Sequence, residues 1–288
     1  MYKWFFSLSP LPIYKLVIFD FVNMKTTDRC FDLILRYADE YKPHKYNTKF
    51  WNTYYLTHIT NVLGDIVSWK SLKKMNIICG DNKFHYKTIN KTHLEWARNG
   101  VYEKAFNEIR RTTKNCGVTQ NNYIDGTLII NKSGIENIGY GCGESRKKRF
   151  TSLSIVCNEH GKPISIVNNA SYSKIINDKK TISTLPHDSR SILPSIKNIN
   201  TTEQYNLVGD AGFIINKDIL PNNVNLITAK RKNQLIRNTP VEKAILKKRY
   251  IIENVFAKIK QFNRIHIRRD WLIVSNMGFV NIALMKII

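Results

Sequence analysis

The chain has 288 residues, with 45 lysines and arginines against 22 aspartates and glutamates, a formal charge of +23. Its length and 43% apolar content allow a sizeable core in one large domain or two smaller ones, while no apolar run of about 18 residues and no basic amphipathic anchor points to a membrane. So positive a chain favours a polyanionic partner, nucleic acid first, although its abundant Lys, Asn and Ile would also follow from an AT-rich coding sequence.

The first 22 residues are aromatic and apolar but are interrupted by Pro10, Pro12 and Asp20, with no cleavage site following. We read 1–23 as an upstream extension rather than a signal peptide. Residues 24–118 read as a helical region. In TTDRCFDLILRYADEY (26–41), Thr and Asp suit a helix cap, and Phe31, Ile34, Leu35 and Ala38 follow at helical spacing. Further helices are expected in YYLTHITNVLG (54–64), SWKSLKKMN (68–76) and THLEWARNGVYEKAFNEIRRTTK (92–114), with a turn at CGDNK (79–83). Short helices in a basic segment fit either a helix-turn-helix unit docking on DNA or ordinary helical packing.

After Gly117 the period changes to two. NNYIDGTLIIN (121–131) and FTSLSIVCN (150–158) read as strands, and EHGK (159–162) turns the second into PISIVNNA (163–170). A helix is expected over SKIINDKKTISTLP (173–186), then a strand at YNLVGDAGF (205–213), a short helix at NKDIL (216–220) and a strand at NVNLITAK (223–230). One long basic helix is expected over 240–264. Three antiparallel strands followed by αβαβα is the order of a ribonuclease H-like α/β domain, placed at 119–288.

Three acids stand out in that frame. Asp125 lies inside an apolar strand, costly unless something pairs it. Asp210 ends the fourth strand between Gly209 and Gly212, where backbone can come close to a ligand. Glu253 is the single acid in KKRYIIENVFAKIKQFNRIHIRR (247–269). At about 100° per residue, Arg249, Lys260 and Arg264 fall on its stripe, while Ile251, Ile252, Val255, Phe256, Ile259 and Phe262 occupy the other side. Three carboxylates converging on one point would suit hard divalent cations and phosphoryl transfer. Taken singly, each has a plainer reading: Arg249 and Glu253 as a surface i, i+4 pair, Asp210 as a turn residue, Asp125 with Gly126 as a bulge. The five scattered Cys hold no C-x-x-C pair, which argues against structural zinc and a disulfide framework and suits a reducing, intracellular setting alongside DNA.

Over most of residues 55–270 the sequence resembles insertion-sequence DDE transposases of the bacterial groups numbered four and five. YIDGT (123–127) resembles the first Asp motif, and LVGDAGF (207–213) the second, with Phe213 for the usual Tyr. Arg249, Glu253 and Lys260 keep the spacing of the Tyr-x2-Arg-x3-Glu-x6-Lys motif, with Leu246 at the Tyr position. VSWKSLKKM (67–75) and LEWARNGVYEKAFNEI (94–109) resemble the N-terminal helical region, SRKKRFTSLSIVCNEHGKPISIV (145–167) resembles the basic hairpin, and Asp178 lies where many members carry an Asp. The resemblance implies that Asp125, Asp210 and Glu253 bind two magnesium or manganese ions and are catalytic. It implies cleavage of the element's ends by water, followed by joining of the released 3′-hydroxyl to target DNA. Arg249 and Lys260 would hold phosphates, and Arg264, Arg146, Lys147, Lys148 and Arg149 would add contacts to DNA. The implied partners are double-stranded DNA, both terminal inverted repeats and target, and a second copy of the chain in the DNA complex. Two alternatives stay open: a ribonuclease H-like nuclease without strand transfer, and a DNA-binding relative that has lost its chemistry.

Overall fold

The computed structural model describes residues 29–41, 86–140, 148–169, 172–176, 180–184, 187–231 and 234–288. The extension at 1–23, the helices expected at 54–64 and 68–76, Asp178, Ser145, Arg146 and Lys147 lie outside them.

Three helices come first: α1 (Arg29–Tyr41), α2 (Tyr86–Arg98) and α3 (Val101–Thr112). Phe31, Ile34 and Ala38 bury one face of α1, as their spacing predicts. The single helix expected over 92–114 is divided at Gly100, whose φ of 69° is the left-handed conformation that glycine adopts without a Cβ penalty. Buried Trp96, Tyr102, Ala105, Phe106 and Ile109 then pack α2 and α3 onto the last helix, α8 (Ile273–Ile287). These three helices share one core with the sheet.

The strands are β1 (Asn121–Asn131), β2 (Gly139–Tyr140), β3 (Arg149–Asn158), β4 (Pro163–Asn169), β5 (Tyr172–Ile176), β6 (Lys180–Thr184), β7 (Tyr205–Gly209), β8 (Val224–Thr228) and β9 (Ile267–Arg268). They form one mixed sheet. Its centre runs β4–β3–β1–β7–β8, antiparallel across β4, β3 and β1 and parallel across β1, β7 and β8. Strict alternation sends Tyr123, Ile155 and Cys157 into the core beneath α6 and α8, and Ile124 and Val156 into a second core. That second core is closed by α4 (Ile192–Ile199). A charged β1 residue is therefore enclosed from both sides.

Two sequence expectations are corrected. The described residues of 173–186 are strand, not helix: β5 and β6 pair antiparallel, with Tyr172 opposite Thr184 and Ile176 opposite Lys180. The β-branched run Ile175, Ile176, Thr181, Ile182 favours strand over helix, and the crossover helix is α4 instead. The basic helix over 240–264 is three: α5 (Pro240–Lys247), α6 (Tyr250–Lys260) and α7 (Asn263–His266). At the first break, N–H groups of Lys248, Arg249, Ile251 and Ile252 donate to carbonyls three residues back rather than four, which tightens the turn and redirects α6. Thr239 and Glu242 form a reciprocal capping box that starts α5.

Candidate active site

Strand pairing brings the first two acids together. Asn122 and Tyr123 of β1 lie opposite Leu207 and Val208 of β7, and continuing that parallel register by two sets Asp125 beside Asp210. β7 ends at Gly209, so this edge of β1 has no ladder partner until β9 joins at Ile130 and Asn131. Asp125 occupies the open stretch.

Asp125 shares the face of Tyr123, toward α6. Its Oδ1 accepts the N–H of Gly126 at 2.8 Å, and its Oδ2 lies 3.4 Å from Nη2 of Arg249, the residue that caps α6. Asp210 Oδ1 accepts the N–H of Gly212 at 2.7 Å. A further acid enters from the other side of the sheet. Asp188 begins the 3-10 turn (Asp188–Ser191) that leads into α4. A Cβ built on Gly126 would stand 3.0 Å from Asp188 Oδ1, and one on Gly212 would stand 3.1 Å from Asp188 Oδ2 and 3.0 Å from Asp210 Oδ1. Both glycines leave room that the carboxylates use.

Crowding shows in the acidities. Burial is the main cause that raises the Asp125 pKa; Asp210 and Asp188 add to it, opposed by the Gly126 N–H and Arg249. Burial likewise raises the Asp188 pKa, with Asp210 adding and His187 opposing. Arg249 also keeps a buried Nε with no hydrogen-bond partner.

Glu253 stands exposed on α6, one turn beyond Arg249. The charges that bear on Asp125 are Arg249, Asp210 and Asp188. The structure thus gathers two of the three expected acids with an unexpected one, Asp188. Among the described residues, no three acidic, histidine or cysteine side chains stand as a preformed metal cage. Oxygens of Asp125 and Asp210 are instead turned to Gly126, Arg249 and Gly212. The short motif His187-Asp188-Ser189 is the sequence signal for Asp188.

Of the expected DNA contacts, Lys260 is half-buried at the end of α6, where desolvation lowers its pKa. Lys148 and Arg149 are exposed at the start of β3. Arg264 is a correction. It is 1% exposed, pairs with Asp270 at 2.8 Å and stacks over Phe279, because the break before α7 turns it into the core rather than onto the stripe of Glu253.

Residues 155–271 match the family model described as a transposase DDE domain. The likeness is to a transposase DDE domain. Asp188, Asp210, Arg249 and Glu253 fall inside the DDE domain match, and Asp125 precedes it. A solved structure of the piggyBac transposase synaptic complex with hairpin DNA is similar, with 12% identity and a TM-score of 0.40 over 73% of this chain and 50% of that one. The chain therefore spans half the length of that transposase. No curated protein matches. No described helix is long and apolar enough to cross a membrane.

Proposed function

We propose that this chain is the transposase of an insertion sequence, cleaving and joining DNA ends by metal-dependent phosphoryl transfer. The observation that carries the reading is the meeting of Asp125, Asp188 and Asp210 at an open strand edge beside Arg249, next to and within a DDE domain. The strand order β4–β3–β1–β7–β8 supports a ribonuclease H-like assignment, with residues 119–288 as the catalytic domain and 24–118 as a helical region that helps bind DNA.

The donors fit a hard divalent cation, since they are carboxylate oxygens without His or Cys. Asp125 and Asp210 would hold magnesium or manganese, with Glu253 as the third ligand by family resemblance and Asp188 within the same acid group. The chemistry two such ions supply is activation of the attacking oxygen and stabilisation of the leaving one. The chain's own part is positional. Arg249, with its unused Nε, and Lys260 hold phosphate oxygens, while Lys148 and Arg149 extend the contact along the backbone. Buried Ile252, Val255 and Ile259 fix α6 against β1 and β3, so Arg249 and Glu253 move with the strand that carries Asp125. The DNA ends would be held by two copies of the chain.

The test is purified protein with duplexes made from the DNA flanking this reading frame, in magnesium. The reading expects cleavage at the ends, a free 3′-hydroxyl and a joined product. Cleavage without joining would leave a nuclease, and magnesium-insensitive binding without products would leave a DNA-binding relative.

A further inference from the structure

A cavity of about 610 Å³ lies where the helical region meets the sheet, between α3, α8, β4 and the C-terminal end of α4. That is the size of a site for a small organic molecule. None of Asp125, Asp188, Asp210, Arg249 and Glu253 lines it. Helix α4 stands between the two places: Asp188 precedes its first turn, whereas Lys197, Ile199 and the capping Asn200 line the cavity at its other end.

The lining is two-sided. Tyr102, Phe106, Ile164 and Met277 supply apolar walls, while Arg110, Arg111 and Lys197 set three cations against one acid, Glu103. Cations suit the last turns of α3 and α4 on any surface, because the helix dipole favours them there. That does not account for Arg110. Its side chain is half-buried, and its Nη1 donates to the Ile164 carbonyl, a neutral acceptor. Among the described residues, no carboxylate lies within ion-pair distance of Arg110, Arg111 or Lys197. Burial, and then Arg111 beside it, lowers the Arg110 pKa, as expected of a guanidinium drawn out of water without a counter-charge. Asn281 adds a second unmet group on the same lining. It is 7% exposed and donates its amide N–H to the Met277 carbonyl at 3.0 Å, while its Oδ1 has no hydrogen-bond partner among the described residues.

We propose that this cavity binds a small organic phosphate of the size and character of a nucleoside monophosphate. The phosphate pairs with Arg110, Arg111 and Lys197, and the apolar body lies against Phe106 and Met277 with a donor on Asn281. A bare inorganic anion would meet the cations but leave the walls and Asn281 unused. A DNA duplex is too wide to enter, since such a space is about 8–10 Å across and a single major groove is ~12 Å. The bound ligand would bridge α3 and α8 to α4 and β4, joining the helical region to the sheet. The proposal does not depend on the transposase reading.

The test is calorimetric titration and thermal unfolding of the full chain, free of DNA and in EDTA. The probes are the four ribonucleoside monophosphates, their parent nucleosides and inorganic phosphate. At least one monophosphate should bind saturably and raise the melting temperature, with its nucleoside and inorganic phosphate each weaker by roughly 10-fold or more. Arg110→Met, which keeps the stem, should weaken that monophosphate by about 10- to 100-fold, and Lys197→Gln by less, with nucleoside binding unchanged in both. Asn107→Trp, which narrows the cavity from α3, should abolish binding of both. Lys197 and its exposed side chain keep the test open where Arg110→Met fails to fold. Absence of any monophosphate binding tighter than about 1 mM overturns the proposal. Inorganic phosphate binding as tightly as the monophosphate overturns it too, since the cations then act as ordinary surface. Full affinity in Asn107→Trp and Lys197→Gln would put the nucleotide elsewhere on this basic chain and equally contradict it.

Discussion

Arg249 Nη2 lies 3.4 Å from Asp125 Oδ2, joining the cap of α6 to the open stretch of β1 across 124 positions of sequence. Both side chains are about four-fifths buried, at 23% and 22% exposed, so the pair is only partly screened. It sets the helix that carries Glu253 against the strand that carries the first acid. Arg249→Met keeps the stem and removes the guanidinium. The expected result is weaker duplex binding with a salt slope smaller by about one, measured across a salt series. An unchanged slope would remove Arg249 from the phosphate grip.

Asp188 should trade stability for function. Its pKa is raised in the folded protein, chiefly by burial, so the native state binds its proton more tightly than the unfolded chain does. The resulting penalty appears as pH rises from the ordinary value of 3.8 through the raised one, and is complete above it. Asp188→Asn removes that penalty. Thermal unfolding of the DNA-free protein should therefore give a higher melting temperature than wild type at pH 7, with the gap closing toward pH 4. A gap independent of pH would mean that the carboxylate charge is not the cause.

His93 predicts acid sensitivity of the opposite sign. It is fully buried, stacked on Phe279, with burial lowering its pKa to about 4. Its Nε2 lies 2.9 Å from the Ser275 carbonyl, which can only accept, so Nδ1 accepts from the Tyr102 hydroxyl at 2.8 Å. The neutral ring is required. With the folded value below the unfolded 6.5, stability should fall by about 3 kcal/mol as pH drops from 6.5 to 4. His93→Gln should flatten that slope in denaturant titrations. An equally steep slope in the variant would assign the sensitivity elsewhere.

Asp270 anchors the end of the domain. It accepts from Arg264 at 2.8 Å and from the Ser275 hydroxyl at 3.1 Å, beside buried Arg268, which donates to the carbonyls of Asp270 and Trp271 and to the Thr151 hydroxyl. Asp270→Ala leaves Arg264 charged in the core. A loss of about 3–5 kcal/mol is expected in denaturant unfolding. A loss below about 1 kcal/mol would show that the pair is not energetically buried.

Much of the sheet was legible from residue order, because β1, β3, β4, β7 and β8 carry either alternation or short β-branched runs bounded by turn residues. Asp125 and Asp210 were legible for a related reason: an acid inside one strand and an acid between glycines after another stand out locally. The rest depends on tertiary placement. Lys248 and Arg249 look helical, but the tightened turn there divides the basic helix, and the second break, before α7, undoes the projection that put Arg264 beside Glu253. Strands β5 and β6 stand where a crossover helix is expected, and Asp188 reaches the site only because the 3-10 turn it opens leads into α4.

The most direct test of the carboxylate site is manganese binding, followed by the loss of the free-ion signal in electron paramagnetic resonance as the DNA-free and duplex-bound protein is titrated. The account predicts saturable binding that Asp125→Asn and Asp210→Asn each weaken by more than the roughly 10- to 100-fold typical of losing an outer-shell partner, with Glu253→Gln contributing once duplex is present. Wild-type affinity in Asp125→Asn and Asp210→Asn would contradict it.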